Sequence, residues 1–188
     1  MQQCNQTQNQ TVLEHGESVQ NYLFELINHL KTDSKLNYEW KLPEWIKENK
    51  ELILSSLPDD ETLRLYTLLH DCGKPFCRTV DEDGKVHFPN HAEVSYEVFK
   101  QVSNNELAAE LIRHDMDIHT LKADQFDDWF SKNKDLSLVL LLTSLAEVHS
   151  NANMFGGLES ISFKIKLKSI TQRGKQIFNE LKTKQCQK

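Results

Sequence analysis

The chain has 188 residues, 38% hydrophobic and 27% charged, enough for one compact domain with a core and too few for two ordinary ones. No apolar run approaches the ~20 residues that cross a bilayer. The start, MQQCNQTQNQTV, lacks the basic and apolar stretches of a signal peptide. These features point to a cytoplasmic protein with no membrane partner. Net charge is −6 but unevenly spread: from Ile161 to Lys188 seven lysines and Arg173 face one acid, Glu180. An acidic body with a basic end is the result. Cys4, Cys72, Cys77 and Cys186 show no zinc-knuckle spacing and read as reduced thiols.

In chain order, residues 1–11 are rich in Gln and Asn and read as disordered. Val12, Val19, Leu23, Leu26, Ile27 and Leu30 recur at helical steps. Pro43 suits the first turn of a helix through Trp45, Ile46 and Leu52. Asp59 and Asp60 open the next, which carries Leu63, Leu65, Leu68 and Leu69 to His70-Asp71 and stops at Gly73-Lys74-Pro75. Thr79-Val80 and Lys85-Val86 flank Asp81-Glu82-Asp83-Gly84, which predicts a small β-hairpin. Helical periodicity resumes at His91, and another helix runs from about Asn105 to His114. Leu136 to Val148 predicts a buried core helix. A last helix, Leu158 to about Leu181, carries the lysines, although alternation from Ile161 to Leu167 leaves its start open between helix and strand.

The chemistry-bearing side chains are His15, the pair His70-Asp71, His91 and His114. Neighbours on a regular helix point about 100° apart, so His70 and Asp71 can meet one ion only near a helix end. The Gly73 stop supplies such an end. Imidazole nitrogen with carboxylate oxygen suits first-row divalent ions, and a buried carboxylate needs compensating charge.

The order His15, His70-Asp71, His91, His114 and then an acid on a late helix resembles the pattern of the HD phosphohydrolases. The run Leu69-His70-Asp71-Cys72-Gly73-Lys74-Pro75, followed by Arg78 to Phe88 and Asn90-His91, is especially similar to the HD domain of bacterial CCA-adding tRNA nucleotidyltransferases. The resemblance spans about Val12 to Asn151. It implies an all-α fold, a single HD-domain helical bundle with one small β-hairpin after the His-Asp helix. Residues 12–157 would form the domain, with a basic helix, 158–188, packed on it or extending it.

The resemblance further implies that His15, His70 and Asp71 hold a first metal, and that His91 and His114 hold a second. Asp115 is an alternative to either histidine, and His119 a weaker candidate. The family's last ligand is an aspartate after alanine; here the pair is Ala146-Glu147. Glu147 is one methylene longer, so direct ligation, ligation through water and a weakened site all stand open from sequence. Lys74 is placed to face a substrate phosphate, with Arg78 as a second cation and Asn151, beside Ser150 and Asn153, as pocket lining. Asp71 and Lys74 are the implied catalytic residues. One or two divalent ions (Mn, Ni, Mg, Fe, Co or Zn) are the implied cofactors.

The reaction so implied is hydrolysis of phosphate esters by metal-activated water. Nucleotides lead as substrates: 2′,3′-cyclic phosphodiesters, 2′-nucleotides and related monoesters. A non-catalytic regulatory module and a nucleic-acid-end binder are the alternatives. An RNA or DNA end on the basic C-terminal helix, and a second copy of the chain, complete the expected partners.

Overall fold

A computed structural model describes residues 1–7 and 10–185; Cys186 and Lys188 lie outside the described residues. Strands β1 (Asn5–Thr7) and β2 (Gln10–Thr11) precede helix α1 (Val12–Thr32). Then come α2 (Glu44–Glu48), α3 (Lys50–Ser55), α4 (Asp60–Leu69), α5 (Lys74–Cys77), β3 (Thr79–Val80) and β4 (Val86–His87). Helices α6 (His91–Phe99), α7 (Glu106–Arg113), α8 (Asp117–Thr120), α9 (Phe126–Asn133), α10 (Ser137–Ser150) and α11 (Ile161–Gln185) complete the chain. Single 3-10 turns occupy Ala123–Gln125 and Ala152–Phe155. The fold is all-α with a small β-hairpin, as expected. No helix among the described residues is long and apolar enough to cross a membrane.

The chain divides into two compact units, residues 1–20 with 58–116 and residues 21–57 with 117–188. In the first, Asp59 caps α4: one oxygen accepts from the Thr62 N–H at 2.9 Å and the other from its hydroxyl at 2.8 Å. Asn105 caps α7 through Ala108 N–H at 2.9 Å and donates to Thr62 Oγ1 at 2.9 Å, which ties the starts of α4 and α7 together. Leu63, Tyr66, Phe99, Ala108, Leu111 and Ile112 bury the facing stripes. The hairpin forms where expected, Thr79 pairing with His87 and Val80 with Val86. Asp81 closes its turn by accepting from Asp83 and Lys85 N–H, with Gly84 at φ +77°.

Two expectations change in this unit. Residues 5–7 and 10–11 pair as antiparallel strands where a disordered start was expected. The segment is tied down by buried Cys4, whose carbonyl accepts from Val12 N–H at 2.8 Å. The Gly73-Lys74-Pro75 run also starts an element instead of only stopping one. Helix α4 ends at Leu69, and Lys74 and Pro75 open α5, where a proline without an N–H is at no disadvantage.

In the second unit α10 is the buried core helix, with Leu138 to Leu142, Leu145 and Val148 all inside. Helix α11 lies against it through Phe163, Ile170, Ile177 and Phe178. That resolves the start of the segment as helix: α11 runs unbroken from Ile161, with Phe163, Ile170 and Ile177 buried along one side and Ile161 and Ile165 exposed. Gly174 lets α11 approach Trp45, whose ring would sit 2.4 Å from a Cβ there. The expected helix after Pro43 is broken at Asn49, whose amide and N–H both compete for the Trp45 carbonyl.

Candidate metal centre

Two close backbone approaches build the first unit's polar cluster. A Cβ on Gly16 would lie 2.3 Å from the Leu68 carbonyl oxygen, so only glycine lets α1 and α4 meet at that point. That contact brings His15, beside Gly16, to the end of α4. A Cβ on Gly73 would lie 2.3 Å from Ser95 N, and Gly73 N–H donates to Ser95 Oγ at 2.9 Å. The turn between α4 and α5, which carries His70 and Asp71, is thereby seated on α6.

Asp71 is the centre of the cluster and only 1% exposed. His15 Nε2 is 3.6 Å and His70 Nε2 3.3 Å from Oδ2, and the two rings meet edge-on at 5.1 Å. His91 Nε2 approaches the other oxygen, Oδ1, at 3.6 Å. That oxygen is buried and makes no hydrogen bond. His70 Nδ1–H donates to the Thr67 carbonyl at 2.8 Å and His91 Nδ1–H to the Phe88 carbonyl at 3.0 Å. Each ring is thus fixed in orientation, with Nε2 left to face the carboxylate. Burial alone would raise the Asp71 carboxyl. The nearby charges of His70, Lys74 and His15 outweigh it and hold the group far below the usual carboxylate range.

Lys74 donates to Asp71 Oδ2 at 2.6 Å and to Gln6 Oε1 at 2.9 Å, and lies 5.4 Å from the Phe88 ring centre. It is 8% exposed. Arg78 is exposed and borders a depression with Cys4, Asn5 and Pro75. His114 is the C-cap of α7 and faces Glu110, one turn earlier, at 3.8 Å. Asp115 is buried and accepts from the Tyr66 hydroxyl at 2.6 Å. The structure therefore gathers His15, His70, His91 and Lys74 around Asp71. It places His114 against Glu110.

Glu147 and Asn151 belong to the second unit. Glu147, on α10, accepts from His119 Nε2–H at 3.0 Å, and both side chains are under one-fifth exposed. Asn151 is the C-cap of α10, with its Oδ1 buried and without a hydrogen bond. Sequence reasoning missed Gln6, Thr67 and Ser95. Gln6 sits in a segment whose composition reads as disordered, and Thr67 acts through its carbonyl, which no side chain signals. Ser95 is marked only by its helical place four residues after His91.

The cluster is built as a divalent-cation site would be. Rings held by their Nδ1–H groups present Nε2 to a buried, ionised carboxylate with one oxygen lacking a hydrogen bond, and this nitrogen-oxygen set suits first-row ions. Comparison with curated proteins and with solved structures gave no match. The HD domain family profile matches residues 12–152. HD domains bind divalent metals, and the family consists in general of metal-dependent phosphohydrolases. With most of its length matched and the His70-Asp71 pair at the heart of its buried cluster, the chain belongs to the HD domain family.

Proposed function

We propose that this chain hydrolyses nucleotide phosphate esters, with 2′,3′-cyclic phosphodiesters and 2′-nucleotides as the first substrates. The observation that carries the reading is the convergence of His15, His70, His91 and Lys74 on the buried Asp71 carboxylate. Similarity of the segment Leu69 to His91 to the HD domain of CCA-adding enzymes favours nucleotides among phosphate esters. His15, His70, Asp71 and His91 would hold the metal, with Glu147 and His114 added by the sequence pattern. A bound divalent ion supplies Lewis acidity, lowering the pKa of water from ~16 toward ~7 and offsetting phosphate charge.

The chain's own residues do the rest. Asp71 accepts a hydrogen bond from the attacking water and orients it. The water oxygen forms the new bond to phosphorus as the ester P–O bond breaks, and the departing oxygen takes up a proton. Lys74 places an ammonium beside the carboxylate, where it offsets charge on the phosphoryl oxygens. Arg78, exposed at the surface, is the proposed second cation for the phosphate, and Asn151 is the proposed polar lining.

The test is hydrolysis of bis-p-nitrophenyl phosphate and of a nucleotide panel with manganese, nickel, cobalt, zinc and magnesium in turn. Asp71→Asn, equal in size but uncharged, should lower kcat/KM at least a hundredfold while leaving the helical circular-dichroism spectrum unchanged. Full activity in that variant would end the assignment. A second reading, a regulatory module that binds metal or ligand without turnover, draws on the engagement of Glu147 by His119. Tight metal binding with no hydrolysis of any substrate in the panel would favour it.

A further inference from the structure

Helix α11 carries a feature that the hydrolytic site does not use. At about 100° per residue, Lys164, Lys168, Lys175 and Lys182 fall within about 40° of one another around its axis and span roughly 27 Å. They are turned about 100° or more round the axis from buried Phe163, Ile170, Ile177 and Leu181, with buried Phe178 nearer the line. All four are exposed. Lys164 is held by Glu159 at 2.9 Å. Lys168, Lys175 and Lys182 have no acidic partner among the described residues. Glu180, the helix's only acid, sits more than about 100° round the axis from this line. Gln172 and Asn179 are exposed alongside and offer hydrogen bonds. In a chain of net charge −6, a straight cationic line is a local inversion of sign.

We propose that this lysine line binds the phosphate backbone of a single-stranded polynucleotide. Charge complementarity selects a polyanion, and linearity selects the form. A duplex winds each strand's phosphates away from a straight line within a helical turn, whereas a single strand can follow it. An anionic membrane is the poorer occupant, since an interfacial helix needs an apolar stripe along its length. Here exposed apolar residues, Ile161 at 79% and Ile165 at 63%, occur only at the first turns.

The test uses the full chain in EDTA, so that binding is read apart from hydrolysis. Fluorescence anisotropy of a labelled 20-nucleotide single strand, RNA and DNA in separate arms, should show a log–log salt slope of about −2 to −3. That corresponds to ~0.7 per phosphate neutralised and to roughly twenty- to sixty-fold weaker binding at 200 mM than at 50 mM salt. Combining Lys168→Glu, Lys175→Glu and Lys182→Glu should weaken binding at 50 mM salt at least twentyfold and make the slope shallower than about −1. Hydrolysis of bis-p-nitrophenyl phosphate should be unchanged. If the reversals disturb the helix by circular dichroism, the three glutamine variants combined replace them and should weaken binding at least fivefold. No binding by the intact chain at 50 mM salt, or binding indifferent to these lysines, would overturn the proposal. So would lysine-dependent binding to phosphatidylglycerol vesicles without binding to either strand.

Discussion

Several histidines in this chain face a carboxylate, whereas His149 serves packing. It is 1% exposed, lies against the Trp40 ring at a 37° tilt and meets Phe163 edge-on. Its Nδ1–H donates to the Leu145 carbonyl at 2.8 Å, so Nε2 is the lone pair that accepts from Lys41 N–H at 3.0 Å. Burial pushes its pKa below the ordinary histidine value against the two backbone hydrogen bonds. A folded-state pKa below the unfolded one gives stability that is full above about pH 6.5 and lost as pH falls toward the folded value. Protonation would also turn Nε2 into a donor facing the Lys41 N–H. The unmodified protein should therefore lose melting temperature between pH 7.5 and 5.5 faster than His149→Phe, which cannot titrate. Parallel curves for the two proteins would show that His149 does not govern the acid limb.

At the scale of elements, close approach matters more than propensity. Gly16→Ala drives a Cβ against the Leu68 carbonyl, a backbone atom that cannot swing aside. We expect a loss of ~1–3 kcal/mol, as for other overpacked contacts, together with weaker metal binding because His15 is the next residue. Asp59→Ala removes the α4 cap and should cost ~1 kcal/mol, yet leave metal affinity unchanged. Paired denaturation and metal titration separate the two; equal metal affinity in both variants would uncouple the α1–α4 contact from the site.

The same contrast explains what the sequence revealed. His70-Asp71, the Asp59 cap, the hairpin around Gly84 and the α10 run were legible because their signals are local. His15 and His91 were placed by resemblance, and the structure brings both to Asp71. Gln6 was illegible because its pairing with Lys74 joins residues 68 positions apart, across a composition that suggests no structure. Helices α8 and α9 were not marked out, since short charged segments hide Ile118, Phe126 and Phe130 among polar neighbours. The approach of His114 to Glu110, one turn earlier on the same helix, was equally hidden.

At the scale of the whole molecule the proposed metal centre makes a prediction of stoichiometry, and the two oxygens of Asp71 frame it. His15 and His70 approach Oδ2, whereas His91 approaches Oδ1. A second ion would be held by His91 beside the Asp71 oxygen that makes no hydrogen bond. Two manganese equivalents per chain are therefore the expected stoichiometry after stripping with chelator and reconstitution. His91→Ala should hold one and His15→Ala should lose the tighter. Asp71→Asn should lose both, since the carboxylate charge is common to both groups of imidazoles. Because the ligands are assembled only in the folded chain, occupancy should also raise the melting temperature, by the equivalent of ~2.7 kcal/mol when the ion is a hundredfold above Kd. Calorimetric titration beside metal analysis reads both quantities on one sample. A single equivalent in the unmodified chain, retained by His91→Ala, would return His91 to a structural role and leave the centre mononuclear.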